Sequence, residues 1–264
     1  MRILVVGALG YVGQAVLKEL SAQERAFRTS DIGWFLDAVT SDAGARETDY
    51  GNFQHISVAQ LRRFDAIIHL AGYSNDPLGW LCEGDTMALN YHSAVKLAEK
   101  AREAGVKRFV FSSTCSVYGA SGADVVDEQG PTDPLTPYAA SKLATEKALW
   151  KLASSHFQVS ILRGATAFGP SAAPRTDLLL NEACAMAVLG QPLQLTSNGE
   201  SWRPFMPVGD FARALIEAAV KAPLSGADYN IWNIAPAKMR MTVAEAATRV
   251  SNVAGVELPQ LSDK

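Results

Sequence analysis

The sequence predicts an α/β protein built on a doubly wound parallel sheet. Three observations predict it. Short, wholly apolar runs such as Ile3-Leu4-Val5-Val6 and Ala66-Ile67-Ile68-His69-Leu70 mark strands buried on both faces. Segments with apolar residues at helical spacing stand between such runs. The two kinds alternate, as parallel strands with crossover helices must. Hydrophobic residues are 48% and charged residues 19% of the 264, which fills a sizeable core and excludes a disordered chain.

The elements follow in order. Ile3–Val6 runs into Gly7, and the helix from Tyr11 to Leu20 carries Val12, Ala15, Val16 and Leu20 on one face. Ala26–Ser30 is a weaker strand ending at Asp31, and Ala66–Leu70 is the third. A long helix from about 85 to 103 is stopped by Gly105. Arg108–Ser112 is the next strand. Tyr138–Ser154 is a second long helix, preceded by Pro131, Pro134 and Pro137, and Val159–Leu162 is a further strand. Beyond it the regularity falls: Pro170, Pro174, Pro192, Pro204 and Pro207 predict a smaller, loop-rich lobe. We therefore expect a dinucleotide-binding unit over 1–163. Residues 164–264 are expected to form mainly a substrate lobe, interleaved with late elements of the main sheet. Helices over 210–220 and 242–254 complete the pattern.

Several functions are excluded at this level. A net charge of −3 leaves no basic surplus for nucleic acid. No apolar run reaches the roughly 18 residues of a membrane span, and the apolar start, broken at Gly7, is too short for a signal peptide. Three widely spaced cysteines, Cys82, Cys115 and Cys184, suggest no disulfide framework and fit a reducing cytoplasm. His55, His92 and His156 lack metal-ligand spacing. His69, inside a strand, is expected to pack and bond locally. The five tryptophans (34, 80, 150, 202 and 232) are expected in core or interface, and Asn90 is expected to hold a water or backbone group beneath the site.

In open parallel sheets the crevice lies at the carboxyl ends of the strands. Gly7-Ala-Leu-Gly10-Tyr11-Val12-Gly13 stands there, after a strand and at the start of a helix. Gly7 permits a tight turn, Gly10 a close approach to a pyrophosphate, and Gly13 close packing of helix on strand. The helix start offers free N–H groups to phosphate. Asp31 lies 18 residues beyond Gly13, near the ~20-residue spacing of an acid that holds an adenosine ribose. A carboxylate there favours NAD over NADP. Asp49, Tyr50 and the small segment Leu70-Ala71-Gly72 are placed to flank adenine and ribose.

Tyr138 and Lys142 are spaced i, i+4 on one helix face. A tyrosine becomes a general base for a hydroxyl only when its pKa falls well below about 10, and a lysine one turn away favours the phenolate. Ser112-Ser113-Thr114 ends the preceding strand, where Thr114 can share a substrate oxygen with Tyr138.

Together with His69-Leu70-Ala71-Gly72, Val117-Tyr118-Gly119, Leu162-Arg163 and Phe168-Gly169-Pro170, these motifs resemble the extended short-chain dehydrogenases/reductases. The likeness is to the NAD-dependent epimerase/dehydratase family acting on nucleotide sugars, over about residues 1–255. The resemblance implies a Rossmann-type fold, bound NAD, and epimerisation of a nucleotide sugar at C4 through a transient 4-keto sugar. Tyr138 would take the hydroxyl proton, Thr114 share that bond, and Lys142 hold the nicotinamide ribose and lower the pKa of Tyr138. Ser112 belongs to the implied cofactor contacts. Ser74, in Ser74–Gly79, and Arg175-x-Asp177-Leu178-Leu179-x-Asn181 resemble a bacterial subgroup of sugar-nucleotide epimerases. Arg175, Asn181 and Arg203 are the implied substrate contacts, Arg203 preceding a strand in which Pro207 replaces the family's usual histidine. Leu193-Gln194-Leu195 would border the base.

Cys115 and Ser116 stand where the family's 4,6-dehydratases need an Asp-Glu pair, which turns the reading away from dehydration. The alternatives are a 4-dehydrogenase or reductase using the same residues, a non-catalytic NAD-binding sensor or scaffold, and the same chemistry on a sugar lactone or steroid. The family commonly dimerises through the two long helices, whose apolar positions include Leu89, Ala94, Leu97, Leu143, Leu149 and Trp150. A homodimer is therefore expected. Relatives continue beyond the point matching Lys264, so firm NAD binding with an unusually exposed substrate pocket is expected.

Overall fold

Each apolar run becomes a strand. The computed structural model describes residues 1–34, 36–38, 48–74, 76–120, 125–192, 194–195, 198–221, 228–255 and 260–261. Along the chain come β1 (Ile3–Val6), α1 (Tyr11–Ala22), β2 (Phe27–Ser30), α2 (Val58–Leu61), β3 (Ala66–His69), α3 (Asp76–Leu81), α4 (Glu83–Met87), α5 (Ala94–Glu103) and β4 (Arg108–Thr114). There follow α6 (Pro137–Leu152), β5 (Gln158–Gly164), β6 (Thr166–Phe168), α7 (Leu179–Val188), β7 (Gln194–Leu195), β8 (Trp202–Pro207), α8 (Val208–Val220), β9 (Tyr229–Ile234), β10 (Arg240–Thr242), α9 (Val243–Ala254) and β11 (Gln260–Leu261).

Six strands form one sheet in the order β2-β1-β3-β4-β5-β9, all parallel. The chain therefore has the Rossmann-type α/β fold. Val6 lies level with Ser30 on one side and His69 on the other, so Gly7, Asp31 and Leu70 leave the sheet side by side. One face packs Val16 and Leu20 of α1 and Phe211, Leu215 and Ile216 of α8. The other packs Leu97 and Ala101 of α5 and Leu149 of α6. Both faces of β1 are thus covered, which explains its unbroken apolar run. The sheet extends past residue 163, because β9 joins it beside β5. A second sheet, β10-β8-β6, carries the smaller lobe. Pro207 is paired with Phe168 at the end of β8, and at φ −56° it leads straight into α8. The proline leaves the strand intact.

The helix expected over 85–103 runs from Glu83 to Glu103 and contains a wide turn, Ala88–Ser93, with i→i+5 bonding; buried Asn90 sits in it, and such wide turns gather at functional sites. Of the apolar positions cited for a dimer, Ala94, Leu97 and Leu149 belong to the core and Leu143 packs on Val117 and Tyr118, whereas Trp150 is exposed. Trp34, Trp80 and Trp202 are also exposed in the single chain, while Trp232 packs against the first core. No helix among the described residues is long and apolar enough to cross a membrane.

His69 packs as expected, between Phe53 and Phe111. It does not bond, for neither ring nitrogen has a hydrogen-bond partner among the described residues. Burial, helped by Lys142, pushes its pKa down to about 3. The unfolded chain takes up a proton near pH 6.5 and the folded one does not, so His69 lowers stability progressively as pH falls below about 6.5, by roughly 1.4 kcal/mol per unit. In His69→Leu this component of the acid sensitivity should vanish. Urea midpoints between pH 7 and 4 check it: a slope equal to that of the wild type would contradict the assignment.

Candidate active site

The glycine loop fits a dinucleotide. Gly7 turns at φ +86°, and a Cβ there would stand 2.5 Å from the Ala71 amide nitrogen. A Cβ on Gly13 would stand 2.2 Å from the Gly7 carbonyl oxygen. At Gly10 a Cβ would meet only that oxygen, at 3.5 Å, so the outer side of the loop is open. The first α1 bond runs from Gln14 N–H to the Gly10 carbonyl, and no side chain caps the helix. The amides of Tyr11, Val12 and Gly13 are its N-terminal donors, suited to a diphosphate.

Asp31 stands beside this cradle. Its Oδ2 accepts from the Leu9 amide at 3.0 Å and its Oδ1 from the Gly33 amide at 2.9 Å, and a carboxylate has lone pairs left for a ribose hydroxyl. Leu70, Ala71 and Gly72 flank the other side. The Tyr50 carbonyl accepts from the Asp31 amide at 3.2 Å, while the side chains of Asp49 and Tyr50 find partners along β2 and beyond it. The Asp49 carboxylate accepts from the Thr29 amide and hydroxyl and pairs with Arg28. The Tyr50 ring packs edge-on against Phe64, in a cleft with Arg2, Arg28 and Arg63. The segment 48–50 is an edge strip bonded to β2, and it turns these side chains away.

Thr114 ends β4, and Thr136 and Pro137 start α6, with the Thr136 hydroxyl accepting from the Ala139 amide. This places Tyr138 in the first turn, with Thr114 acting on its phenol. Thr114 Oγ1 also accepts from the Ser116 amide and donates to Ser116 Oγ. Lys142 Nζ donates to the Ser112 carbonyl at 2.8 Å and lies 5.8 Å from the Tyr138 ring centroid. Burial pushes Lys142 down to about 8, against the pull of Glu146. Burial likewise pushes the Tyr138 phenol up to about 12, opposed by Arg175 and Thr114 and reinforced by Asp76 and Cys115. Arg175 adds a second cation whose field lowers the phenol's pKa, beside Lys142 5.8 Å from its ring.

On the far side of Tyr138, Arg175 is clamped by both Asp177 oxygens at 2.5 and 2.6 Å and donates to Ser74 Oγ at 2.8 Å. Arg203 is exposed and acts electrostatically on the Cys115 thiol, which burial pushes up. Asn181 is a structural tie: its Oδ1 accepts from the Gly169 amide, and its Nδ2 donates to the Arg175 carbonyl and Tyr11 hydroxyl. Both of its N–H groups are thus taken up within the chain, while Oδ1 keeps a second lone pair. Of Leu193-Gln194-Leu195, Leu193 lies outside the described residues, as does Asn75.

Two supports lie beneath the site: Asn90, which holds a backbone segment as expected, and a buried ion pair. Asn90 accepts from the Tyr73 amide at 2.8 Å and donates to the Tyr73 carbonyl at 2.9 Å and Ser141 Oγ at 3.1 Å. Ser141 in turn donates to the Tyr138 carbonyl. The turn after β3 is thereby tied to the helix of Tyr138. Beneath Lys142, buried Glu146 pairs with buried Arg163 at 2.6 Å and accepts from Ser113 Oγ. The only signals were the i, i+4 spacing of Glu146 from Lys142 and an arginine ending an apolar strand.

The sequence matches the NAD dependent epimerase/dehydratase family over residues 3–235. It is 31% identical to a UDP-glucose 4-epimerase of Azospirillum brasilense, over 98% of this chain and 79% of that one. It is 28% identical to a UDP-glucose 4-epimerase of Lacticaseibacillus casei, over 98% and 83%. A solved structure of MoeE5 in complex with UDP-glucose and NAD superposes with a TM-score of 0.85 at 25% identity, covering 99% of this chain and 85% of that chain.

Proposed function

Because the chain belongs to the NAD-dependent epimerase/dehydratase family, we propose that it is a UDP-sugar 4-epimerase working through a transient 4-keto sugar with bound NAD. The observation that carries this reading is Tyr138 one turn before Lys142, whose ammonium lies 5.8 Å from its ring, with Thr114 acting on its phenol, next to a dinucleotide cradle and two arginines. NAD, when bound, supplies the hydride acceptor and a positive ring beside the phenol.

The residues of the chain do the rest. Without a further positive charge the phenol is neutral at pH 7, held near 12 by burial. A cation beside it favours the phenolate, which then takes the proton from the sugar 4-hydroxyl while Thr114 holds the same oxygen. Lys142, fixed on Ser112, reaches the cofactor ribose. Arg203 offers a guanidinium fork to diphosphate oxygens, and Arg175, clamped by Asp177 and Ser74, borders the sugar. Once the sugar has turned in this pocket, Tyr138 gives the proton back to the same oxygen; the hydride exchange is the chemistry a bound NAD would supply.

The test is proton NMR of UDP-glucose and UDP-galactose, each incubated separately with the protein. Both should relax to one common mixture without added NAD beyond that bound. Stoichiometric release of reduced cofactor with a keto product would indicate a dehydrogenase instead, and conversion of no UDP-sugar would overturn the reading.

A further inference from the structure

We propose that Trp34 and Tyr73 form an aromatic clasp across the diphosphate of the bound dinucleotide and slow its release. The inference rests on the cleft being the NAD site, and it adds the residues that keep the cofactor there.

Topology carries the argument. Trp34 stands four residues beyond Ser30, the end of β2, and Tyr73 four residues beyond His69, the end of β3. Between those strands lies β1 with its glycine loop. Strands are spaced about 4.8 Å apart, so the ends of β2 and β3 are separated by roughly 10 Å. Yet the two rings stack, with centroids 5.7 Å apart and planes at 22°. Side chains leaving strands on either side of β1 can meet only by leaning over its carboxyl end. The turn carrying Trp34 does rest on the glycine loop: Asp31 holds both the Leu9 and Gly33 amides, and a Cβ on Gly33 would come within 4.0 Å of Leu9 Cδ1. The stacked rings therefore bridge the carboxyl end of β1 beside the glycine loop, whose helix-start amides suit the diphosphate.

The two sides differ. Tyr73 is fixed, since Asn90 bonds both its amide and its carbonyl. Trp34 is 62% exposed and follows Gly33 at φ +72°, a backbone state that glycine adopts without strain. Trp34 is the side that lifts. Such a clasp suits an epimerase, which returns the hydride to its own substrate and has no need to exchange cofactor at each turnover.

The experiment measures NADH release by stopped-flow fluorescence against excess NAD, together with the dinucleotide retained after dialysis. Trp34→Ala and Tyr73→Ala should release NADH roughly tenfold faster, the scale of one lost aromatic stack, and Trp34→Phe should recover most of the difference. The melting temperature of cofactor-free Trp34→Ala should fall by no more than about 2–4 °C, the scale of one exposed stack. Release from Trp34→Ala at the wild-type rate would overturn the clasp and leave the NAD reading standing. A wild-type protein that neither retains nor binds a nicotinamide dinucleotide would overturn the reading beneath it, and the clasp with it.

Discussion

Tyr138→Phe should lose UDP-glucose turnover by roughly 10²–10⁴-fold, the scale of one general acid/base group, while still binding the dinucleotide. The substitution removes a single hydroxyl. The ring remains against Gly79, whose added Cβ would lie 3.6 Å from that of Tyr138. Lys142 keeps its own anchor on Ser112, so the hold on the cofactor ribose does not pass through the phenol. The glycine loop is likewise untouched. Loss of turnover with unchanged cofactor content therefore isolates the proton-transfer step. Turnover within about tenfold of the wild type would move the base elsewhere, and a fall in bound cofactor would show that the hydroxyl is needed for binding.

The sheet was legible in the sequence because each strand buried on both faces has no polar alternation to confuse with a helix. The glycine loop was legible for a related reason: only glycine tolerates the approach of Ala71 to Gly7 and of Gly7 to Gly13, so close packing leaves a residue-level trace. The electrostatics were not legible. Spacing puts Lys142 one turn from Tyr138, but only the fold shows its ammonium bonded to Ser112 and a second cation, Arg175, acting on the phenol from 37 positions along the chain. Asp49 shows the same limit. A carboxylate after a strand reads as a ribose ligand until the edge strip 48–50 turns it onto Thr29 and Arg28. Asn181, a substrate contact by resemblance, also ties together segments that no local pattern joins.

Arg163→Met should cost about 3–5 kcal/mol of stability, the scale of breaking a buried ion pair from one side. Arg163 and Glu146 are 4% and 2% exposed. Although burial works against its charge, hydrogen bonding to Glu146 holds Arg163 well above its ordinary range. The guanidinium also donates to the Tyr118 hydroxyl, which donates to Asn233, so one side chain joins β4, β5, α6 and β9. Removing it leaves a buried carboxylate with Ser113 as its remaining side-chain donor. The nearest other cation is then Lys142, already drawn upward by Glu146, so the damage extends toward the catalytic turn. Truncating both partners removes the stranded charge, and the double variant Glu146→Leu/Arg163→Met should be more stable than Arg163→Met alone. Urea midpoints of the cofactor-free proteins at pH 7 decide it. A double variant no more stable than the single would mean that lost packing around Tyr118 and Asn233, and not an unpaired carboxylate, sets the cost.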